Sequence, residues 1–365
     1  APAHHALLVD VGDRSGDDLT AALAEVAARH EPLRSVIAPD AASVTPADPV
    51  ILERVAVSAD GGDLGRRAFE IAQEPLDLTT RPGLRAVLLD DGDRRALLLV
   101  MHYAAVDEWS VVPLLTELLV GSEEDLPLTY SDVARWAVDR RAAADDVTRY
   151  WRERLADAPP ATLPITFGEN GTDAVLVDVD ADLRASLDRL AATAGTGLAS
   201  VMHAAFALAV ADAGGGEDVT VATLVAGRDD ARTHAMVGGF ADRVPLRVSA
   251  IGDLAEVTRA VRDATIDALD RPGPSYRDIV DAACRPDLRR PALALVHHRV
   301  ADLGGVSVLP IPVGRPEADL TLSVHEPPTG AALFVQLVVP GGTDSKAVGR
   351  FVDLLTARLG EARRP

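Results

Sequence analysis

Met101-His102-Tyr103-Ala104-Ala105-Val106-Asp107-Glu108-Trp109-Ser110 is the stretch on which the reading of this chain turns. An apolar run, Ala96-Leu97-Leu98-Leu99-Val100, leads into it, and a helical pattern from Val111 to Leu119 leads out. A histidine and an aspartate at a strand-to-helix junction have the composition of an acid/base site. The place beside His102, where a second acid/base group would be expected, holds a tyrosine.

Working outward, Leu84–Asp90 and Arg95–His102 flank Asp91-Gly92-Asp93, a turn signal that predicts a hairpin. Upstream, His5–Asp10 reads as a strand. Asp17–His30 reads as an amphipathic helix with Leu19, Leu23, Val26 and Ala27 on one side. Short strands at Ser35–Ala38 and Val50–Val57 and a helix over Leu64–Glu74 complete this part. Helices over Val111–Val120, Tyr130–Ala142 and Asp146–Ala156 follow the motif. Pro159-Pro160, then Gly168, Asn170 and Gly171, mark a linker. Beyond it, strands are expected at Ala174–Val179, Asp218–Val225, Val244–Val248, Ala292–His298, Leu320–His325 and Ala332–Val339. Helices are expected at Ala181–Ala192, Gly197–Ala213 and Ser345–Leu359. Both halves mix the two element types, so the expected class is α/β (α+β) with two similar lobes. Their expected bounds are residues 1–160 and 173–365, joined by a linker over 161–172.

Composition narrows the function. A chain of 365 residues suits about two domains. Its net charge of −20 argues against nucleic-acid partners, which require a basic footprint. No apolar run approaches the ~20 residues of a membrane span, and no secretory signal opens the chain. The single cysteine, Cys284, excludes an internal disulfide framework and fits a reducing cytoplasm; it is expected in the core. Trp136 and Trp151 lie on helical patterns and are likewise expected as core anchors. Neither metal nor cofactor is expected. His297-His298 point to opposite faces of a strand with no third ligand at a recognisable spacing. Gly214-Gly215-Gly216 lacks the Lys-Ser/Thr of a phosphate loop and reads as a turn. Asn170-Gly171-Thr172 matches a glycosylation sequon that has no meaning in a cytoplasmic chain.

Several separate stretches resemble one family in its order. His30-Glu31-Pro32-Leu33-Arg34 is similar to an Arg-His-Glu-x-Leu-Arg motif, and Asp107, Trp109 and Ser110 align with His-His-x-x-x-Asp-Gly followed by Trp-Ser. Tyr130-Ser131-Asp132 through Trp136 and Tyr150-Trp151-Arg152-Glu153-Arg154-Leu155 resemble the helices closing a first lobe. Val225-Ala226-Gly227-Arg228, Val237-Gly238-Gly239-Phe240, Val244-Pro245-Leu246-Arg247 and Asp319-Leu320-Thr321-Leu322-Ser323 match motifs of a second. Together they resemble the condensation-domain superfamily of nonribosomal peptide synthetases, relatives of chloramphenicol acetyltransferase. The resemblance implies two acetyltransferase-like lobes in a V-shaped fold, a tunnel between them, and carrier proteins docking at its mouths.

On that alignment His102 takes the first motif histidine, Tyr103 the second and Glu108 the glycine. In family members the second histidine positions the attacking amine or takes its proton, a role suited to a pKa of about 6.5. A phenol near 10 is ~3 units away, which costs about 4–5 kcal/mol at pH 7. That is roughly a thousandfold in rate. Strand alternation predicts that His102 faces the lobe's core. Glutamate at the glycine position is expected to obstruct a conformation or a close approach. Asp107 is expected to be structural, in an ion pair with Arg34.

The spoiled motif His102, Tyr103, Asp107, Glu108 resembles that of X domains, so no catalytic residue is expected. These condensation-like modules recruit cytochrome P-450 oxygenases to the carrier-bound peptide during glycopeptide antibiotic biosynthesis. The resemblance implies such oxygenases as partners, with an adjacent peptidyl carrier domain and thioesterase domain. The alternative is an active condensation or ester-forming acyltransferase in which Tyr103 serves as a hydrogen-bond donor. An epimerisation domain or a coenzyme A-dependent acetyltransferase would each need the missing histidine.

Overall fold

The computed structural model describes the chain apart from residues 1–3, 39–40, 45–50, 58–62, 123–124, 143–144, 170, 300–307, 312, 314–315, 317, 328–330 and 365. In chain order the elements begin β1 (His4–Asp10), α1 (Gly16–Arg29), β2 (Ser35–Ala38), β3 (Ala41–Val44), β4 (Leu52–Ala56) and α2 (Leu64–Ala72). The hairpin β5 (Leu84–Asp90) and β6 (Arg95–His102) follows, then α3 (Val111–Val120), α4 (Tyr130–Ala142) and α5 (Asp145–Leu155). Next come β7 (Thr172–Val179), α6 (Ala181–Thr193), α7 (Leu198–Val210), β8 (Asp218–Val225), β9 (Asp242–Ser249), α8 (Leu254–Leu269) and α9 (Tyr276–Ala282). The chain closes with β10 (Leu293–Arg299), β11 (Val308–Ile311), β12 (Leu320–Glu326), β13 (Leu333–Pro340) and α10 (Ser345–Gly360).

Contacts divide these elements into two units. The first comprises the described residues of Ala1–Arg135, Ala226–Ala241 and Ala301–Gly314. Its five-stranded sheet runs β11-β1-β6-β5-β4, with β4 and β5 parallel and the other pairs antiparallel. β6 lies at the centre and is covered on both faces, which is why Ala96–Met101 is apolar without alternation. Leu97, Leu99 and Met101 pack towards α1 and α3, while Ala96, Leu98 and Val100 pack towards α2. The hairpin forms as the turn signal predicts, and Gly92 adopts a φ of 92° that favours glycine.

The second unit comprises the described residues of Trp136–Val225, Asp242–Val300 and Arg315–Pro365. Its six-stranded sheet runs β7-β13-β12-β10-β8-β9, with β10 parallel to both β12 and β8. α7 forms the centre of the core and buries every residue except Ala199. Leu198–Gly215 is the stretch among the described residues long and apolar enough to cross a membrane, and most of it is buried inside this unit. Gly214 and Gly216, with φ of 89° and 90°, end it as the predicted turn. Trp151 is buried with Leu155, Leu246 and Ile279, as a core anchor should be.

Several expectations change here. The contact division differs from the expected bounds, because α5 packs on α9 and β9 of the second unit while Ala226–Ala241 is part of the first. Ala161, Leu163, Ile165 and Phe167, in the expected linker, pack against the second core. Cys284 is exposed rather than buried. It ends α9 with a φ of 54°, and Arg285 N–H donates to Val280 O across it, which turns the side chain outward. Trp136 is 46% exposed, because α4 buries none of its described side chains. Val50 and Asn170 lie outside the described residues.

Candidate functional site

β1 and β6 run antiparallel with His4 opposite His102, so three histidines gather at one end of the first unit's sheet. His102 is the last strand residue and is half-buried, not a core side chain. Its parity with Leu98 and Val100 places it on the α2 side, but at the open end of the sheet. Its Nδ1 accepts from Ala104 N–H at 3.1 Å, which caps the turn that follows. Burial and the neighbouring His4 hold its pKa below the usual histidine value.

Tyr103 lies in that turn, beyond the reach of strand alternation, and is 36% exposed. Its ring stacks on His5 with centroids 5.0 Å apart and planes 25° from parallel. His5 Nε2 lies 3.0 Å from Val106 O, so this nitrogen carries the proton and Nδ1 keeps its lone pair. Burial pushes the His5 pKa down to about 4, and the imidazole is neutral at neutral pH. Sequence reasoning passed over His5. The available signal was its place on the strand that pairs with the motif strand.

Asp107 is buried at 1% exposure and fully engaged. Its Oδ1 accepts from Ser110 N–H at 2.8 Å, Ser110 Oγ at 2.7 Å and Arg228 Nη2 at 3.0 Å. Its Oδ2 accepts from the backbone N–H groups of Phe240 and Ala241 at 2.9 and 3.0 Å. Arg228, not the expected Arg34, is therefore its ion-pair partner. The reason is the path of Ala226–Ala241: Gly227, with a φ of 63°, turns the chain after β8. Arg228 Nη1 then donates to Thr233 O at 2.6 Å and Met236 O at 2.8 Å, so the guanidinium is pinned from its own segment. Phe240 stacks over it at 4.2 Å. Arg34 instead lines a cavity of about 460 Å³ with His30, Glu31, Leu128 and Tyr130.

The same segment lies against the motif turn. A Cβ at Gly239 would come within 2.6 Å of Tyr103 O, an approach that a side chain excludes. His30 Nδ1 accepts from Val237 N–H at 3.2 Å, and its Nε2 donates to Glu117 Oε2 at 2.9 Å. Glu108 opens a short 3-10 turn, Glu108–Ser110, for which Asp107 is the N-cap. Its backbone needs no glycine, since among the described residues the non-glycine residue with positive φ is Cys284. The expected conformational obstruction is thus corrected, and a carboxylate in a first helical turn is electrostatically favoured. His297 Nε2 lies 3.2 Å from Glu326 Oε2, and no group of three metal-ligating side chains occurs among the described residues. Chemically, then, the motif has become a hydrogen-bonded knot at Asp107, a phenol stacked on a neutral imidazole, and a histidine turned to its own backbone.

Comparison with known proteins places this geometry in context. Residues 11–292 match the family described as Condensation domain. CymA, a probable nonribosomal peptide synthetase of Salinispora arenicola (strain CNS-205), is 30% identical over 285 residues, 70% of this chain. The beauvericin nonribosomal cyclodepsipeptide synthetase of Beauveria bassiana is 30% identical over 299 residues, 73% of this chain. The chain spans 4% and 9% of these two relatives' own length. Among solved structures, the X-domain from teicoplanin biosynthesis superposes with a TM-score of 0.82 at 23% identity, covering 99% of this chain and 90% of that one. The complex of the X-domain and OxyB from teicoplanin biosynthesis gives 0.81 at 23% identity, covering 100% and 89%. The condensation domain of the Monacolin K polyketide synthase MokA gives 0.83 at 15% identity, covering 100% and 93%. At such identities these three likenesses concern the fold, whereas the sequence match over most of the chain shows its kinship: this chain belongs to the condensation-domain family.

Proposed function

We propose that this chain is a non-catalytic condensation-like domain of the X-domain kind. It recruits cytochrome P-450 oxygenases to a carrier-bound peptide for side-chain cross-linking in glycopeptide antibiotic biosynthesis. The observation that carries this reading is Tyr103 at the second motif position, with its ring stacked on His5, whose imidazole burial keeps neutral at neutral pH. A phenol is a poor proton acceptor at neutral pH, and His102 Nδ1 is committed to Ala104. The Asp107 knot supports the same reading, since an intact scaffold around a spoiled motif suits a docking role. The teicoplanin X-domain, similar in fold, forms a complex with OxyB. Peptidyl carrier and thioesterase domains are the expected neighbours. Titration of OxyB into the purified protein tests the reading: saturable one-to-one binding is expected, and heat traces indistinguishable from dilution would overturn it.

One observation favours a second reading, that of a working acyltransferase. His5 offers an imidazole lone pair at Nδ1 beside Tyr103, and two relatives similar in sequence are described as a nonribosomal peptide synthetase and a cyclodepsipeptide synthetase. Under that reading Tyr103→Phe and His5→Phe each abolish turnover that the unmodified protein shows. Under the platform reading there is no turnover to lose.

A further inference from the structure

We draw no further inference here: the strongest candidate, the cavity of about 460 Å³ beside Arg34 in the first unit, has Arg29 held by Glu117 and Glu31 held by the Ser131 N–H, and nothing in the structure shows what would fill it.

Discussion

At Asp107 a single carboxylate accepts five hydrogen bonds, and two of them come from backbone more than a hundred residues away. Removing it leaves Arg228 buried beside polar groups that have lost their partner. Asp107→Ala should therefore cost about 3–5 kcal/mol, read as a fall in the urea midpoint. A loss below about 1 kcal/mol would show that the knot is idle. The structural role of Asp107 was legible in the sequence, but its partner was not. Arg34 and Arg228 both sit in family-like motifs, and no periodicity tells which guanidinium arrives. His203 carries a second expectation. Burial holds its pKa at about 4, whereas the unfolded side chain titrates near 6.5, so acid is taken up preferentially by the unfolded chain. Its contribution is complete above pH 6.5 and is lost as pH falls towards 4, by up to roughly 3 kcal/mol. His5 and His325 act in the same direction. Melting temperature should fall across that window, and His203→Leu should flatten the fall; an unchanged slope would assign the effect to other groups.

Among elements, the segment Ala226–Ala241 does most to shape the site, and it is almost without regular structure. It leaves β8 at Val225 and rejoins the sheet as β9 at Asp242, carrying Arg228, Val237 and Phe240 to the motif between these points. Gly239→Ala should cost about 1–3 kcal/mol, because the new Cβ meets Tyr103 O. Gly349→Ala, in α10 with no neighbour within 4 Å of its Cβ, should instead stabilise by about 0.5–1 kcal/mol. Equal effects in thermal melts would refute the contrast. Strongly patterned elements were legible: β5 and β6 declare themselves by apolar runs around an Asp-Gly turn, and α1 by its stripe of Leu19, Leu23 and Val26. β11 was not. Its four residues include Pro310 and the exposed Leu309, and it is a strand only because β1 offers an open edge. α8 could have been found, since Asp253 and Glu256 form a capping box at its start.

At the scale of the whole molecule, each unit has its own core, and the motif lies in the first. Fold and family were legible because they are written redundantly in many short stretches. The division into units was not, since it depends on which core a connecting segment joins. If the domain is inactive as proposed, and the motif alone accounts for it, Tyr103→His with Glu108→Gly should restore measurable condensation from carrier-bound substrates. A double variant as inert as its parent would place the loss elsewhere in the scaffold. The most direct measurement is intact-mass analysis of two aminoacyl-loaded carrier proteins after incubation with the unmodified protein. Both carriers should keep their original loads, with no dipeptidyl species above the enzyme-free control. Accumulation of a dipeptidyl carrier that depends on the protein would contradict the account.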